Sequence, residues 1–165
     1  MEIRHITESD AEAFLQLNKQ LDRETKLMLF EADERMTTVE EQARKIRSIS
    51  HDPYSTIFVI EEEKKLIGFI VAIGSPQRRK CHSVYIATGI LQEWTGQGLG
   101  TLLFERLEQW AKEQGVHRLE LTVMKHNEAG VALYKKAGFE IEGVKRHSMK
   151  VDGEFVDEYY MAKLI

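Results

Sequence analysis

The sequence has a single cysteine, Cys81, and contains no long apolar run. One cysteine cannot form a disulfide within the chain, which suits a protein kept in a reducing compartment. The opening stretch, MEIRHITESD, is too charged for a signal peptide. No apolar segment approaches the roughly 18 residues that a membrane-spanning helix needs. We therefore expect a cytoplasmic protein with no membrane partner.

An excess of basic charge is also absent, since the formal net charge is −4 and the isoelectric point is near 5.9. The one basic cluster, at residues 78–80, is short and suits a solvated loop. Proteins that bind nucleic acid electrostatically carry a basic face or stripe. We therefore expect no nucleic-acid partner. Nothing in the residue pattern indicates a metal site, and we expect none.

Proline is scarce, with two residues, and the chain has no repeats or low-complexity tracts. Its 165 residues are 42% apolar and 30% charged, which is typical of one compact folded domain. Apolar periodicity predicts the order β-α-α-β-β-β-α-β-α-β-β. Antiparallel strands come first, and one crossover helix then sets two strands parallel. The predicted fold class is α+β, with helices on both faces of one mixed α/β sheet.

Several short residue patterns indicate where helices begin and where a strand departs from regular geometry. Thr38 and Glu41 form a capping-box pair before a helix whose apolar face begins at Val39. Asn127 is placed to cap a short helix. Gly89 lies inside the predicted strand HSVYIATGIL, where a glycine often marks a bulge or a close backbone approach.

The stretch WTGQGLG carries the clearest functional signal. Gly96, Gly98 and Gly100 alternate along it and lead directly into an amphipathic helix. A dinucleotide fingerprint needs G-x-G-x-x-G, and a triphosphate loop needs G-x-x-x-x-G-K-S/T, so both fail on spacing. A glycine loop before a helix N-terminus still favours an anion. The residues alone leave two interpretations open, a site for a pyrophosphate-sized anion and a plain structural turn.

A family resemblance narrows that choice. The segment GILQEWTGQGLGTLLFERL resembles the acyl-CoA-binding motif Q/R-x-x-G-x-G/A of the GNAT superfamily of N-acyltransferases. At the expected distance, NEAGVALYKKAGFEIEG is similar to the family's second motif, N-x-x-A/G-x-x-L/F-Y-x-x-x-G-F. The predicted order of elements matches the fold of that family along the chain. One position departs from the pattern, because Thr95 stands where the motif has a long Gln or Arg.

The resemblance implies a single N-acetyltransferase domain over residues 1–165, with a GNAT-like central twisted mixed sheet. It implies an acyl-CoA-dependent N-acetyltransferase that uses acetyl-CoA as cosubstrate, with a neutral amine attacking the thioester directly in a ternary complex. The residues expected to bind the cofactor are Ile90, Leu91, Thr95, Gly96, Gln97, Gly98, Leu99, Gly100, Thr101, Asn127, Ala132, Tyr134 and Lys136.

The resemblance also assigns roles. Backbone groups of Ile90 and Leu91 would bind pantetheine as an added strand beside a splayed strand, and the Leu91 amide would polarise the thioester carbonyl. Asn127 would contact the pantetheine chain. Tyr134 would face the sulfur and hydrogen-bond to the departing thiolate. Thr95 offers one short donor in place of a long side chain, so we expect the pyrophosphate to be held mainly by loop amides.

The general base is less defined. Glu120 is the catalytic candidate, because it projects from the strand beside the splayed one. His82, Tyr85 and a water held by Thr88 are the alternatives. At pH 7, deprotonating a lysine-like amine costs about 4.6 kcal/mol, against about 1 kcal/mol for an α-amine. The lack of an obvious base therefore favours an acceptor with a low amine pKa.

The acceptor is expected to be the α-amine of a small amino compound. The C-terminal stretch from residue 134 onward resembles the branch that holds amino-acid N-acetyltransferases and ribosomal-protein N-terminal acetylases. Two alternatives stay open, acetylation of a ribosomal-protein or peptide N-terminus and a non-catalytic CoA-binding sensor. The connection at residues 22–36 is acidic and would form a lid or a solvated loop. The exposed strands or the final hairpin would allow two copies of the chain to pair as a homodimer.

Overall fold

The computed structural model describes residues 1–165 and has one seven-stranded mixed sheet at its centre. The strand order is β1-β2-β3-β4-β5-β7-β6, and every neighbouring pair is antiparallel except β4 and β5. This confirms the predicted order of elements and the single parallel pair. The strands are β1 Glu2–His5, β2 Thr56–Glu62, β3 Lys65–Ile73, β4 Ser83–Ile90, β5 Arg118–Met124, β6 Glu140–Val151 and β7 Glu154–Leu164.

Four α-helices and two short 3₁₀ turns complete the chain. The helices are α1 Ala11–Glu24, α2 Val39–Ser50, α3 Leu99–Glu113 and α4 Glu128–Lys136, and the 3₁₀ turns are Glu8–Asp10 and Gln92–Trp94. The expected caps are confirmed, with Thr38 accepting from the Glu41 amide and Asn127 from the Gly130 amide. No helix is both long enough and apolar enough to span a lipid bilayer.

The helices cover both faces of the sheet, as predicted. Phe14 of α1 packs edge-on against Phe69 of β3, with ring centroids 5.2 Å apart. Arg106 of α3 lies over the ring of Phe58, which pairs with Ile70 and so occupies the opposite face. One expectation about the apolar face of α2 was wrong at its first residue, because Val39 begins the helix at its exposed end and keeps 39% of its surface exposed.

The parallel pair β4–β5 separates after three residues. Ser83, Val84 and Tyr85 pair with residues 118–120, and no pairing follows. Strand β4 stays bonded to β3 through Ile90, while β5 stays bonded to β7 through Met124. The two strands therefore diverge and leave an opening between residues 86–90 and 121–124, here called the strand gap.

Gly89 marks a close approach and forms no bulge. The β3–β4 register runs without a shift from Ile73 opposite Tyr85 to Gly68 opposite Ile90, so the alternative of a bulge at Gly89 was wrong. A Cβ on Gly89 would lie 2.8 Å from Leu21 Cδ1. The glycine lets α1 sit directly on β4 beside the strand gap.

Replacing Gly89 with alanine is expected to destabilise the protein by about 1–3 kcal/mol, because the added methyl group overpacks the contact between α1 and β4. Urea denaturation followed by circular dichroism measures the change. Ala87→Ser is the control, since Ala87 is exposed on the same strand. A Gly89→Ala variant as stable as the parent would show that α1 can move away at no cost.

Candidate functional site

The edge of β4 that faces the strand gap has free backbone groups. The Leu91 amide donates to the Ile67 carbonyl at 2.9 Å, and the Leu91 carbonyl accepts from the Trp94 amide. Hydrogen-bonded and non-bonded pairs alternate along an antiparallel ladder, so the amide and carbonyl of Ile90 point away from β3 and into the gap. The expectation that the Leu91 amide polarises a carbonyl was therefore wrong, and the free donor at this point is Ile90.

The glycine loop, residues 95–98, exposes its peptide groups at the mouth of the strand gap. Gly96 and Gly98 have φ angles of 74° and 80°, in the left-handed region that favours glycine. A Cβ at either position would meet no heavy atom within 4 Å, so this backbone is open to a ligand. The two glycines are needed for chain conformation and leave the peptide groups accessible.

The N-terminus of α3 lacks any cap from the chain. Its first helical hydrogen bond runs from Leu102 to the Gly98 carbonyl, which leaves the amides of Leu99, Gly100 and Thr101 without helical partners. No side chain caps this end and no acidic residue lies in its first turn, whereas side chains cap α2 and α4. Free amides and the helix dipole together favour an anion at this position.

Gly100 has a different function from the other two glycines. A Cβ there would lie 2.7 Å from Leu133 Cδ2, so the absence of a side chain lets α3 and α4 approach closely. This contact holds α4 against the start of α3. The close approach places Asn127, Ala132, Tyr134 and Lys136 of the α4 segment on the same side of the sheet as the glycine loop.

The side chains of Thr95 and Gln97 form hydrogen bonds to backbone carbonyls of the preceding 3₁₀ turn. The Thr95 hydroxyl donates to the Gln92 carbonyl at 2.8 Å, and Gln97 Nε2 donates to the Glu93 carbonyl at 3.3 Å. The single hydroxyl proton of Thr95 is therefore already used. Thr95 shapes the loop after the second 3₁₀ turn, and the amides of the loop are left as the donors for an anion.

A Thr95→Arg variant is expected to bind coenzyme A about 2- to 30-fold more tightly. A charge-assisted hydrogen bond contributes about 1.5–3 kcal/mol, and losing the neutral Thr95 hydrogen bond costs about 1 kcal/mol of that gain. Isothermal titration calorimetry with coenzyme A measures the change. Thr95→Val removes the hydroxyl without adding charge and should weaken binding a few-fold. Weaker binding by Thr95→Arg than by Thr95→Val would contradict this account of the loop.

Tyr134 faces an apolar environment on the inner side of α4. Its ring packs edge-on against Phe104, with centroids 5.6 Å apart, and at 6.3 Å from Phe139. Burial raises the pKa of Tyr134 to about 12, and the Tyr85 phenol adds to the shift. Tyr134 is therefore a protonated hydrogen-bond donor at every physiological pH.

The cap residue Asn127 keeps a free donor. Its Oδ1 accepts from the Gly130 amide at 3.0 Å, which leaves the Nδ2 group available. The absence of a side chain at Gly130 makes this contact fit, because a Cβ there would lie 2.5 Å from Asn127 Nδ2. Ala132 and Lys136 lie one helical turn apart and are exposed.

The predicted base candidates are distributed unevenly around the strand gap. Glu120 Oε2 accepts from Arg118 Nε at 2.9 Å, so this carboxylate is already in an ion pair. The Thr88 hydroxyl donates to the Phe69 carbonyl at 2.7 Å. His82 precedes β4 at the paired end, roughly 26 Å along the strand from Ile90 at about 3.3 Å per residue, so among the candidates it lies farthest from the open end.

Tyr85 lies where the two strands begin to diverge. Its hydroxyl is 2.7 Å from Thr122 Oγ1, and this contact bridges β4 and β5 just beyond their last backbone pair. Tyr85 also raises the pKa of Tyr134, so the two phenols lie within electrostatic range of each other. No cluster of three or more histidine, cysteine, aspartate or glutamate side chains is arranged to hold a metal ion.

One carboxylate of the acidic connection at residues 22–36 lies at the mouth of the strand gap. Glu24, the last residue of α1, accepts from the Gln92 amide at 2.9 Å and from Gln20 Nε2 at 2.8 Å. From the sequence, Glu24 belongs to the acidic connection expected to form a lid or a solvated loop. No local pattern joins it to a residue 68 positions away, so the tertiary fold alone brings it to the end of β4.

A cavity of about 370 Å³ lies beside Glu24, between the α1–α2 loop and the β6–β7 turn. Buried Asp22 pairs with Arg35 at 2.8 Å and fixes the loop that forms one wall. The lining residues include Glu24, Met28, Phe30, Met124, Met149 and Asp152. The predicted acidic lid therefore corresponds to a mixed apolar and charged wall.

Comparisons with known proteins agree with this geometry. The model of the acetyltransferase (GNAT) family matches residues 18–139. The chain is 31% identical over 103 residues to L-amino acid N-acetyltransferase AaaT of Escherichia coli, covering 60% of this chain and 62% of that protein. It is 30% identical over 105 residues to the ribosomal protein uS5-alanine N-acetyltransferase of the same organism, covering 61% and 52%.

The similarity to one solved structure extends over nearly the whole chain. A GNAT-family acetyltransferase from Streptococcus pneumoniae superposes with a TM-score of 0.96 at 29% identity, covering 99% of both chains. By contrast, the chain spans about half to three fifths of the length of the curated relatives it matches. Because the family model covers most of the sequence and the fold agrees, the chain belongs to the GNAT family of acetyltransferases.

Proposed function

We propose that the protein transfers an acetyl group from acetyl-CoA to the α-amine of a small amino compound, by direct attack in a ternary complex. The observation that carries this proposal is the uncapped first turn of α3, which follows an open glycine loop at the mouth of the strand gap. An anion site joined to an unpaired strand edge suits a ligand with a pyrophosphate and an extended amide chain.

The residues fit coenzyme A in two places. The amides of Leu99, Gly100 and Thr101 would hold the pyrophosphate, while Thr95 keeps the loop in shape. The free amide and carbonyl of Ile90 would pair with the pantetheine chain, with the Asn127 Nδ2 group as a further donor. A thioester placed beside Ile90 lies on the open edge of β4, where the Ile90 amide can polarise its carbonyl.

Acetyl transfer then requires a neutral amine and a donor for the leaving sulfur. The amine nitrogen forms a bond to the carbonyl carbon, the carbon–sulfur bond breaks, and the sulfur leaves as a thiolate. The Tyr134 hydroxyl, protonated and in an apolar environment, is suited to hydrogen-bond to that thiolate. The thiolate carries away one negative charge, and the proton lost by the amine passes to solvent.

An α-amine suits the groups found around the gap. Glu120 is paired with Arg118, and the Thr88 proton is bonded to β3, so neither of these two candidates stands free as a strong base. An α-amine needs less free energy for deprotonation at pH 7 than a lysine-like side-chain amine does, so solvent or a weak relay can take its proton. AaaT, a partial relative, acts by name on L-amino acids, in agreement with a small α-amine acceptor.

The rate is expected to rise with pH and then level off. Only the neutral amine attacks, so kcat/KM should increase with pH up to the amine pKa of the acceptor used. Burial keeps the pKa of Tyr134 near 12, so deprotonation of this residue causes no fall below about pH 10. A profile from pH 6 to 10 with two acceptors of different amine pKa measures this. A fall between pH 8 and 9.5 with both acceptors would contradict it.

Release of free thiol from acetyl-CoA, measured with a panel of amines, tests the proposed function. Turnover with α-amino compounds supports it. Coenzyme A binding by calorimetry, without thiol release on any amine, would show a CoA-binding sensor instead. Turnover restricted to peptides with the N-terminus of a ribosomal protein would show the peptide alternative.

A further inference from the structure

Three residues that line the cavity beside Glu24 also contact or belong to the strands that border the strand gap. Met28 Cε comes within 3.6 Å of where a Cβ on Gly89 would be, so Met28 touches the strand just before Ile90. Met124, the last residue of β5, lines the same cavity from the other side of the strand gap. Glu24, bonded to the Gln92 amide, lies at the end of β4. Three separate contacts therefore place this cavity, here called the methionine pocket, at the mouth of the gap.

The position of Met124 fixes the face on which the pocket lies. Side chains alternate along β5, so Met124 shares a face with Glu120 and Thr122, opposite the face that α3 covers. Met124 is only 4% exposed, because the α1–α2 loop and the β6–β7 hairpin cover it. A ligand in the methionine pocket therefore approaches the gap from the face of the sheet opposite α4 and Tyr134.

The apolar walls of the methionine pocket consist mainly of flexible side chains. Met28, Met124 and Met149 come from three separate elements, and Phe30 adds an aromatic surface. Unbranched thioether side chains adapt to ligands of irregular shape and make favourable contacts with sulfur and aliphatic groups. A cavity of about 370 Å³ is at the small end for ligand sites, which suits a single small molecule.

The charged groups at the rim are of both signs. Lys26 pairs with Asp152 at 2.6 Å, and this contact joins the α1–α2 loop to the β6–β7 turn across the pocket. Arg23 and Lys150 also line the pocket and have no ion-pair partner. A carboxylate and a free cation that line the same pocket are the complement of an α-amino acid, whose ammonium and carboxylate lie on one carbon.

We propose that the methionine pocket takes the side chain of an acceptor α-amino acid with a flexible apolar side chain, such as L-methionine or L-leucine. The Glu24 carboxylate receives the ammonium, and Arg23 or Lys150 receives the carboxylate. Each Glu24 oxygen already accepts one hydrogen bond, which fixes the side chain in place and leaves lone pairs for the ligand. This inference rests on the proposed acetyl transfer and adds the class of acceptor.

The substrate panel compares L-methionine and L-leucine with glycine, L-glutamate, L-lysine and a short peptide, by thiol release from acetyl-CoA. We expect kcat/KM for the two apolar amino acids to exceed that for glycine and for L-glutamate at least tenfold. A preference for L-lysine, the peptide or L-glutamate would overturn the inference while leaving acetyl transfer intact. No turnover on any amine, despite coenzyme A binding, would overturn the proposed function itself.

A Met149→Glu variant tests the pocket directly. It places a charge on the wall formed by an edge strand, so kcat/KM for L-methionine should fall at least tenfold. The value for glycine, which has no side chain to enter the pocket, should change less than threefold. Met36→Glu is the matched control, because Met36 is 84% exposed and lies outside the pocket. An equal loss with both acceptors would overturn the inference.

A Glu24→Gln variant tests the ammonium contact. The amide oxygen of Gln can still accept from the Gln92 amide, so the loop contact is preserved while the charge is lost. We expect KM for L-methionine to rise about tenfold and KM for acetyl-CoA to stay within a factor of two. A rise in KM for acetyl-CoA alone would mean that Glu24 only supports the loop, and would overturn its role toward the acceptor.

Discussion

Replacing Tyr134 with phenylalanine is expected to lower kcat by about 100-fold, while KM for acetyl-CoA changes little. A positioned proton donor contributes about 10²- to 10⁴-fold to a rate, and a hydrogen bond to a thiolate belongs at the lower end of that range. The ring contacts with Phe104 and Phe139 remain in the variant, so the fold and the cofactor site are preserved. Steady-state kinetics by thiol release measures the effect.

A conservative control separates chemistry from packing. Tyr54→Phe removes a hydroxyl from a tyrosine that precedes β2, away from the strand gap, and should leave kcat unchanged. The free energy of unfolding of both variants, measured by urea denaturation, should lie within about 0.5 kcal/mol of the parental value. If Tyr134→Phe kept more than half of the parental kcat, the leaving thiolate would be stabilised by another group, and Tyr85, which interacts electrostatically with Tyr134, is the next candidate.

Replacing Gly98 with valine is expected to weaken coenzyme A binding by about 10- to 100-fold. Gly98 is the N-cap of α3 and has a φ of 80°, a conformation that costs a β-branched residue at least 1–2 kcal/mol. Relaxing that strain turns the first amides of α3 away from the loop, and those amides are the proposed pyrophosphate donors. Calorimetry with coenzyme A measures the change in affinity.

Gly153→Val is the matched control for this variant. Gly153 also has a left-handed φ, of 81°, and a Cβ there would also meet no atom within 4 Å, but it lies in the β6–β7 turn. The two variants should lose similar stability, while only Gly98→Val loses affinity for coenzyme A. Equal affinities in the two variants would contradict the assignment of the α3 N-terminus as the anion site.

Patterns that depend on neighbouring residues were predictable from the sequence. The order of helices and strands follows from apolar periodicity, and the caps at Thr38 and Asn127 follow from side-chain chemistry within three residues. The glycine spacing excluded dinucleotide and triphosphate loops, and the two motifs identified the family. In each case the physical cause acts over a few residues or along one repeating pattern.

Features that depend on strand register were not predictable. Whether the amide of Ile90 or of Leu91 is free depends on which residue of β3 lies opposite, and a shift of one residue exchanges the two. Gly89 illustrates the same limit, because a bulge and a close helix approach give the same sequence signal. Only the packed structure decides between them.

Contacts between distant segments were also beyond the sequence. Glu24 and Gln92 are joined by one hydrogen bond across 68 residues, and the methionine pocket gathers side chains from the α1–α2 loop, β5 and β6. Methionines scattered through a sequence are normally taken as core residues. The hydroxyl of Thr95 could be assigned to the loop only when its partner, the Gln92 carbonyl, was known.

The central claim is that the open loop, the uncapped α3 and the strand gap serve acetyl transfer from acetyl-CoA to an α-amine. The most direct measurement is parallel quantification of free thiol and N-acetylated product from acetyl-CoA and L-methionine, for the parent and for Tyr134→Phe. The account predicts equal amounts of both products from the parent and about a hundredfold slower formation by the variant. Binding of coenzyme A with no acetylated product from any α-amine would contradict it.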